Sequence, residues 1–248
     1  AAQRRYPGVP QVACFDTGFH RHLPPVAAVL PVPAALRAGG VRRYGFHGLS
    51  CQSIVRQLGR ALPDRLVIAH LGSGASVTAV RAGRSIDTSM GLTPSGGVVM
   101  ATRSGDVDPG LLLFLLRERG MTAATLEDLV DRRSGLLGIS GLSGDLHLLR
   151  QGGAALPDAA LAIAIFCRSV AKQIAAMIVS LGGIDLLVFS GGISMHDAAT
   201  RDAICADLSW ANVAASVDAR AGVPVMLLSP DEEEQIARDV SIVARARP

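Results

Sequence analysis

Two short apolar runs in this chain end directly in glycine turns, and no other feature constrains the fold as much. RLVIAH (65–70) runs into LGSGA and then SVTAV, and IDLLVF (184–189) runs into SGGIS. Both runs are too short for buried helices, so each predicts a buried strand. RAG turns the chain again before RSIDTS, and the three consecutive runs predict a β-meander. QVACF predicts a strand ending at Asp16, and VPVMLL the last strand. FHRHLPPVAAVLPVPAALRAGG is broken by prolines and predicts irregular covering structure. Helices are expected after YGFHG, with Ser50 as N-cap, after Asp108-Pro109, and in TLEDLVDRR. A long helix is expected in PDAALAIAIFCRSVAKQIAAMIVSLGG, closed by Gly182-Gly183. The last helix, SPDEEEQIARDVSIVARA, has Ser229 placed as N-cap and Pro230 at its first position, whereas SGLLGISGLSGD predicts a second glycine-rich loop. The mixture predicts an α/β fold with its ligand at the strand ends.

The chain has 248 residues, 49% hydrophobic and 18% charged, which suits a packed core rather than disorder. A mean hydropathy of +0.36 raises the question of a membrane span. The most apolar stretch carries Arg168 and Lys172 mid-run, so a buried amphipathic helix and no membrane partner are expected. Basic residues (24) barely exceed acidic ones (21) and are scattered, and aromatics make up only 4%, which argues against nucleic acid. Four cysteines show no C-x-x-C pair and no zinc spacing, so a reducing, cytoplasmic setting is expected. No signal peptide is recognised, and the alanine start suggests a piece of a longer protein.

Six segments carry residue types suited to phosphate chemistry. In HLGSGAS, Gly72 and Gly74 let backbone N–H groups approach a phosphate closely; a plain hairpin turn is the alternative. LLVFSGGIS offers the same choice between a nucleotide-binding turn and a tight strand-to-helix turn. TRSGDVDPG gathers Arg103, Asp106 and Asp108; the arginine suits a phosphoryl group in transfer, or a local Arg–Asp pair that pins the loop. His47 in YGFHG is a catalytic or a structural histidine. Asp16 at the end of FDTGFH's strand is a catalytic or metal-binding carboxylate, or a cap. Ser229 and Glu232 have capping-box spacing, and Asp231 to Glu233 suit a helix N-terminus, which explains Glu232 without any metal.

In order along the chain, FDTGFH, RYGFHGLS, HLGSGASV, DTSMGLTP, TRSGDVDPG, SGLLGISGLSGD, LLVFSGGI and DEEEQIAR resemble the acetate kinase (acetokinase) family from about Val12 to Arg238. The resemblance implies an actin-like, sugar-kinase-like ATPase fold with a ribonuclease H-like core, here mainly the second of two related domains. Residues 1–16 would be a remnant of the first domain. Residues 17–231 would be the nucleotide-binding and dimerisation domain, and 232–248 a helix returning to the first. The implied reaction is Mg²⁺-dependent phosphoryl transfer between ATP and acetate, giving ADP and acetyl phosphate, by a homodimer. Propionate is a close alternative substrate. By the same resemblance Asp16, His47 and Arg103 are catalytic. His70, Leu71, Gly72, Ser73, Gly74, Asp145, Leu146, His147, Gly192 and Ile193 bind nucleotide; Phe46 and Pro94 line the acyl pocket, and Glu232 helps hold Mg²⁺.

The chain departs from the family pattern at Ser73, which replaces an asparagine, at Ser194 to His196, which replace Gly-Glu-Asn, and at Cys51, which replaces a histidine. The family's early asparagine and its carboxylate-binding arginine precede the segment present here. A non-catalytic nucleotide-binding domain of the same fold is therefore the alternative expectation.

Overall fold

The computed structural model describes residues 2–151, 156–217 and 221–245, so the final position of the expected last helix, 246, lies outside them. Its centre is a five-stranded sheet of order β3-β2-β1-β4-β5. Strands β1 (Arg65–Leu71), β2 (Ala75–Arg81) and β3 (Arg84–Thr88) form the expected antiparallel meander. Strands β4 (Leu186–Ser190) and β5 (Val225–Leu227) add in parallel on the other side of β1. Both faces of the sheet are covered, so the strands read as continuous apolar runs rather than alternations.

Short helices α1 (Ala2–Arg5), α2 (Pro25–Ala28) and α3 (Ala34–Ala38) belong to the N-terminal covering segment. Arg43 ties that segment to the sheet: its guanidinium donates to the carbonyls of Ala27, Thr88, Ser89 and Met90. Helix α4 (Gly48–Leu58) covers one face, packing Cys51, Ile54 and Leu58 onto Leu66, Ile68, Val80, Leu186 and Val188. Helices α5 (Pro109–Glu118) and α6 (Ala123–Arg132) bury no residue fully. They are followed by α7 (Gly135–Ser140) and α8 (Leu146–Gln151). Helix α9 (Pro157–Leu181) is long and apolar enough to cross a membrane by length and composition. One of its faces, including Ala162, Phe166, Val170, Ile174 and Met177, instead forms the larger core against Val67, Val77, Leu187 and Phe189. Helices α10 (Gly192–His196), α11 (Ala198–Ala206) and α12 (Glu232–Arg245) complete the chain, with α12 lying on α4.

Four expectations need correction. Residues 11–15 form no strand; with no ladder neighbour, an extended segment gains no paired hydrogen bonds, and Phe15 stands exposed. Ser50 is not an N-cap but sits inside the first turn of α4, whose N-cap is His47. Half of SGLLGISGLSGD is helical as α7, because its loop side contacts the backbone: Leu136 and Leu137 donate to the carbonyls of Met100 and Ala101. The last helix begins at Glu232 and is capped by the Asp231 carboxylate, which accepts the Glu234 N–H, so the Ser229–Glu232 capping box does not form. Asp108 caps α5 as expected, accepting the Gly110 N–H.

Phe166 is fully buried against the sheet. Phe166→Ala is expected to lower unfolding free energy by about 3–5 kcal/mol. Urea denaturation measures this, and a loss under about 1 kcal/mol would contradict the core described here.

Candidate phosphoryl-transfer site

The site begins with a contact between distant parts of the chain. The Asp16 carboxylate accepts the backbone N–H groups of His47 (2.7 Å) and Leu49 (3.3 Å). The Asp16 carbonyl accepts that of Gly48 (2.8 Å). Asp16 thus caps α4 from outside it and satisfies donors that a helix start leaves orphaned. A Cβ on Gly48 would lie 2.2 Å from the Asp16 carbonyl oxygen, so only glycine allows this approach. His47 is left in the left-handed region, φ 55°, which turns its side chain away from the helix and over the strand ends.

There its ring lies 4.6 Å from that of His70, and its Nδ1 is 3.0 Å from the Ser76 hydroxyl. Ser76 is buried and has no other acceptor among the described residues, so its hydroxyl donates to Nδ1. The ring proton of neutral His47 therefore lies on Nε2. A Cβ on Gly74 would come within 3.2 Å of both His47 Nε2 and Arg103 Nη1. The two donors flank the same glycine, where a Cβ would crowd both of them. Arg103 forms no ion pair with Asp106 or Asp108; it donates to the Pro94 carbonyl (3.3 Å), while Asp106 accepts the Gly97 N–H. The local Arg–Asp pair is thus absent, and the guanidinium has no carboxylate partner among the described residues.

The glycine turns close onto one another. Gly191, φ 83°, abuts Leu71, whose carbonyl oxygen would lie 2.6 Å from a Cβ at 191, so the 191–193 turn lies against the end of β1. Ala101 donates to the Ser73 carbonyl (3.4 Å), and its own carbonyl oxygen would lie 2.8 Å from a Cβ at Gly144. Leu71 to Gly74, the Arg103 loop, the turn before Asp145 and Gly192-Ile193 therefore form one contiguous rim. Within it, Asp145 accepts the His147 N–H (2.8 Å) and His147 is exposed. The Leu146 side chain is buried in the core, so what it presents at the rim is its backbone. Pro94 lines a groove of about 820 Å³ with Arg103, Leu112, Leu116 and Leu126. Phe46 is partly buried and packs against the larger core, outside the walls of that groove.

Glu232 accepts a hydrogen bond from the Ser50 hydroxyl, which places a second carboxylate at the first turn of α4. Among the described residues no three His, Cys, Asp or Glu side chains gather as a metal cage. Two carboxylates at one helix start do match Mg²⁺, which takes oxygen ligands and fills its remaining positions with water and substrate phosphate. Burial is the largest influence on His47 and holds its pKa below the ordinary histidine value; Asp16 and Glu232 oppose this and Arg103 adds to it.

His20 is a residue the motif reading left without a role. It is buried, its Nε2 donates to the Phe46 carbonyl (3.0 Å) and its Nδ1 meets the Ser85 hydroxyl (2.8 Å). It therefore holds the turn leading into His47. Its place within FDTGFH was the available signal; nothing in the sequence linked it to Phe46.

The mixed sheet, with this candidate site at its strand ends, defines the class: an α/β domain of the actin-like ATPase fold. Its backbone superposes on an acetate kinase from Porphyromonas gingivalis with a TM-score of 0.91 at 33% identity, covering 98% of this chain and 66% of that one. On a propionate kinase from Francisella tularensis the TM-score is 0.89 at 35% identity, covering 96% and 66%. The chain belongs to the acetokinase family, whose profile matches residues 1–231. It is 42% identical to an acetate kinase of Rhodopseudomonas palustris over 97% of its length, and spans 64% of that relative.

Burial lowers the pKa of His20 and of His70 from 6.5 to about 4; neighbouring His47 adds to the effect at His70. The unfolded chain binds protons between pH 6.5 and 4 that the folded chain refuses. Stability is full above pH 6.5 and is lost on acidification, by at most about 1.4 kcal/mol per pH unit for each histidine. Urea unfolding at pH 7 and pH 5 is expected to show this loss, and equal stability at both would contradict the burial of the two rings.

Proposed function

We propose that this chain carries the nucleotide-binding and phosphoryl-transfer part of a kinase that moves phosphate between ATP and acetate, giving ADP and acetyl phosphate. The observation that carries the reading is the convergence of His47 Nε2 and Arg103 Nη1 on Gly74, beside the Asp16 and Glu232 carboxylates. Phosphoryl transfer asks a protein mainly for positioning and charge stabilisation. Arg103 supplies positive charge with no carboxylate partner among the described residues, and neutral His47 donates an N–H to the same place. Glycine turns at 72–74 and 191–193 let backbone N–H groups approach the nucleotide. Asp16 and Glu232 would hold Mg²⁺, which when bound neutralises phosphate charge. Nucleotide contacts are assigned to His70 through Gly74, Asp145, the Leu146 backbone, His147, Gly192 and Ile193.

Pro94 and the apolar groove beside Arg103 suit a small acyl group. One added methylene changes affinity by only about 1–3 kcal/mol, so propionate is a second substrate on this reading. Residues 17–231 are read as one domain and 232–248 as a segment returning toward another, with α12 lying on α4 where it leaves the first. A homodimer has a surface to use in α5, where Leu111, Leu113 and Phe114 are 44–48% exposed. A cytoplasmic setting goes with ATP as substrate and with Cys14, Cys51, Cys167 and Cys205 all unpaired.

Calorimetric titration with Mg-ATP and trapping of acetyl phosphate with hydroxylamine test the proposal. The chain is expected to bind Mg-ATP. In a form of the protein that turns over acetate, Arg103→Ala is expected to lower kcat by about 10²–10³-fold with little change in ATP affinity. A lower Tm with full activity per folded molecule would instead make Arg103 structural. Absence of Mg-ATP binding by the folded chain would remove the nucleotide reading.

A further inference from the structure

Most buried hydroxyls in this chain have partners. Ser53 donates to the Ser50 carbonyl, Ser85 meets His20, Ser89 accepts the Val77 N–H and Thr200 donates to Asp197. Ser190 does not. It is the last residue of β4, fully buried, and its Oγ has no hydrogen-bond partner among the described residues. Its parallel register neighbour on β1 is His70, whose Nδ1 is also sealed from solvent and without a partner. Register neighbours project from the same face of a sheet. On the other side of His70 the register partner is Ser76, whose hydroxyl is taken by His47. A row of Ser76, His70 and Ser190 thus crosses three strand ends beneath the first turn of α4. Its two unsatisfied groups are adjacent, at the turn that leads into Gly191-Gly192.

A buried polar atom without a partner is destabilising, and native chains rarely keep one unless something outside the chain completes it. Two neighbouring groups able to donate, beside glycine N–H groups, are suited to an anionic oxygen. Asp16 and Glu232 lie at the start of α4, so a phosphate that arrives with its magnesium fits better than a bare anion. We propose that Ser190 Oγ and His70 Nδ1 together bind a polyphosphate oxygen of the magnesium nucleotide, each donating one hydrogen. This assigns Ser190, to which the LLVFSGGIS motif gave no role of its own, to phosphate binding, and it rests on the nucleotide reading above.

The test compares the chain with its Ser190→Ala variant in calorimetric titrations with Mg-ATP and with adenosine, and in thermal melts without ligand. Mg-ATP affinity is expected to fall about tenfold or more, as for loss of a hydrogen bond to a charged group, while adenosine binding is unchanged. The ligand-free variant is expected to melt at the same temperature or higher, because the hydroxyl it loses satisfies nothing. A lower Tm with unchanged Mg-ATP affinity would overturn the proposal: the hydroxyl would then serve a structural water, shared with the equally unpartnered Ser194 one turn further on. An equal loss for Mg-ATP and adenosine would overturn the phosphate assignment. If the parent chain binds no Mg-ATP, the nucleotide reading has itself failed and this inference falls with it.

Discussion

The capping of α4 by Asp16 is the contact on which the rest of the site depends. Three consecutive N–H groups at the helix start are held by one residue 31 to 33 positions earlier. That grip fixes where α4 begins, keeps His47 in the left-handed region, and needs glycine at 48. His47 is then carried over the ends of β1 and β2, where Ser76 sets its ring. Asp16 acts on the ring only through its charge, since its hydrogen bonds go to backbone. A carboxylate bonded to Nδ1 would favour the charged imidazole; a hydroxyl in its place leaves burial in control and the ring neutral.

The second constraint is close packing of backbone at the strand ends. Parallel pairing of β1 with β4 brings Leu71 against Gly191, and the β1–β2 turn brings Gly74 between His47 and Arg103. A Cβ at Gly191 would clash with the Leu71 backbone, and one at Gly74 would crowd the two donors. The rim they leave is lined by N–H groups, one guanidinium and neutral imidazoles, while its two carboxylates stay at the start of α4. On the proposed reading, this separation of charge is what would let a metal and a phosphate meet at one place.

The meander, the long helix and the strand into Gly191 were legible because short apolar runs, paired glycines and a proline start are local signals. The chemistry of Arg103 was legible only as a choice: spacing allowed an ion pair with Asp106, and loop geometry alone shows that Asp106 instead turns to Gly97. A cap was one of the readings open for Asp16, and it caps α4; its capping partners lie a proline-rich segment away, which no periodicity reveals. The expected strand at 11–15 had β-rich composition but no ladder neighbour. Ser229 had the capping-box spacing, but Asp231 reached the free N–H groups first. Ser76, His20 and Ser190 escaped notice for one reason: a buried polar residue declares its role through partners distant in sequence.

Long-range ¹H–¹⁵N correlation NMR of the histidine rings at pH 7 tests the central claim most directly, because it reads which nitrogen of His47 carries the proton. The arrangement around Asp16, Ser76 and Gly74 predicts a neutral His47 protonated on Nε2, with that resonance shifted when Mg-ADP and a metal-fluoride mimic of the phosphoryl group are added. A proton on Nδ1, or a His47 spectrum indifferent to the nucleotide and the mimic, would contradict it.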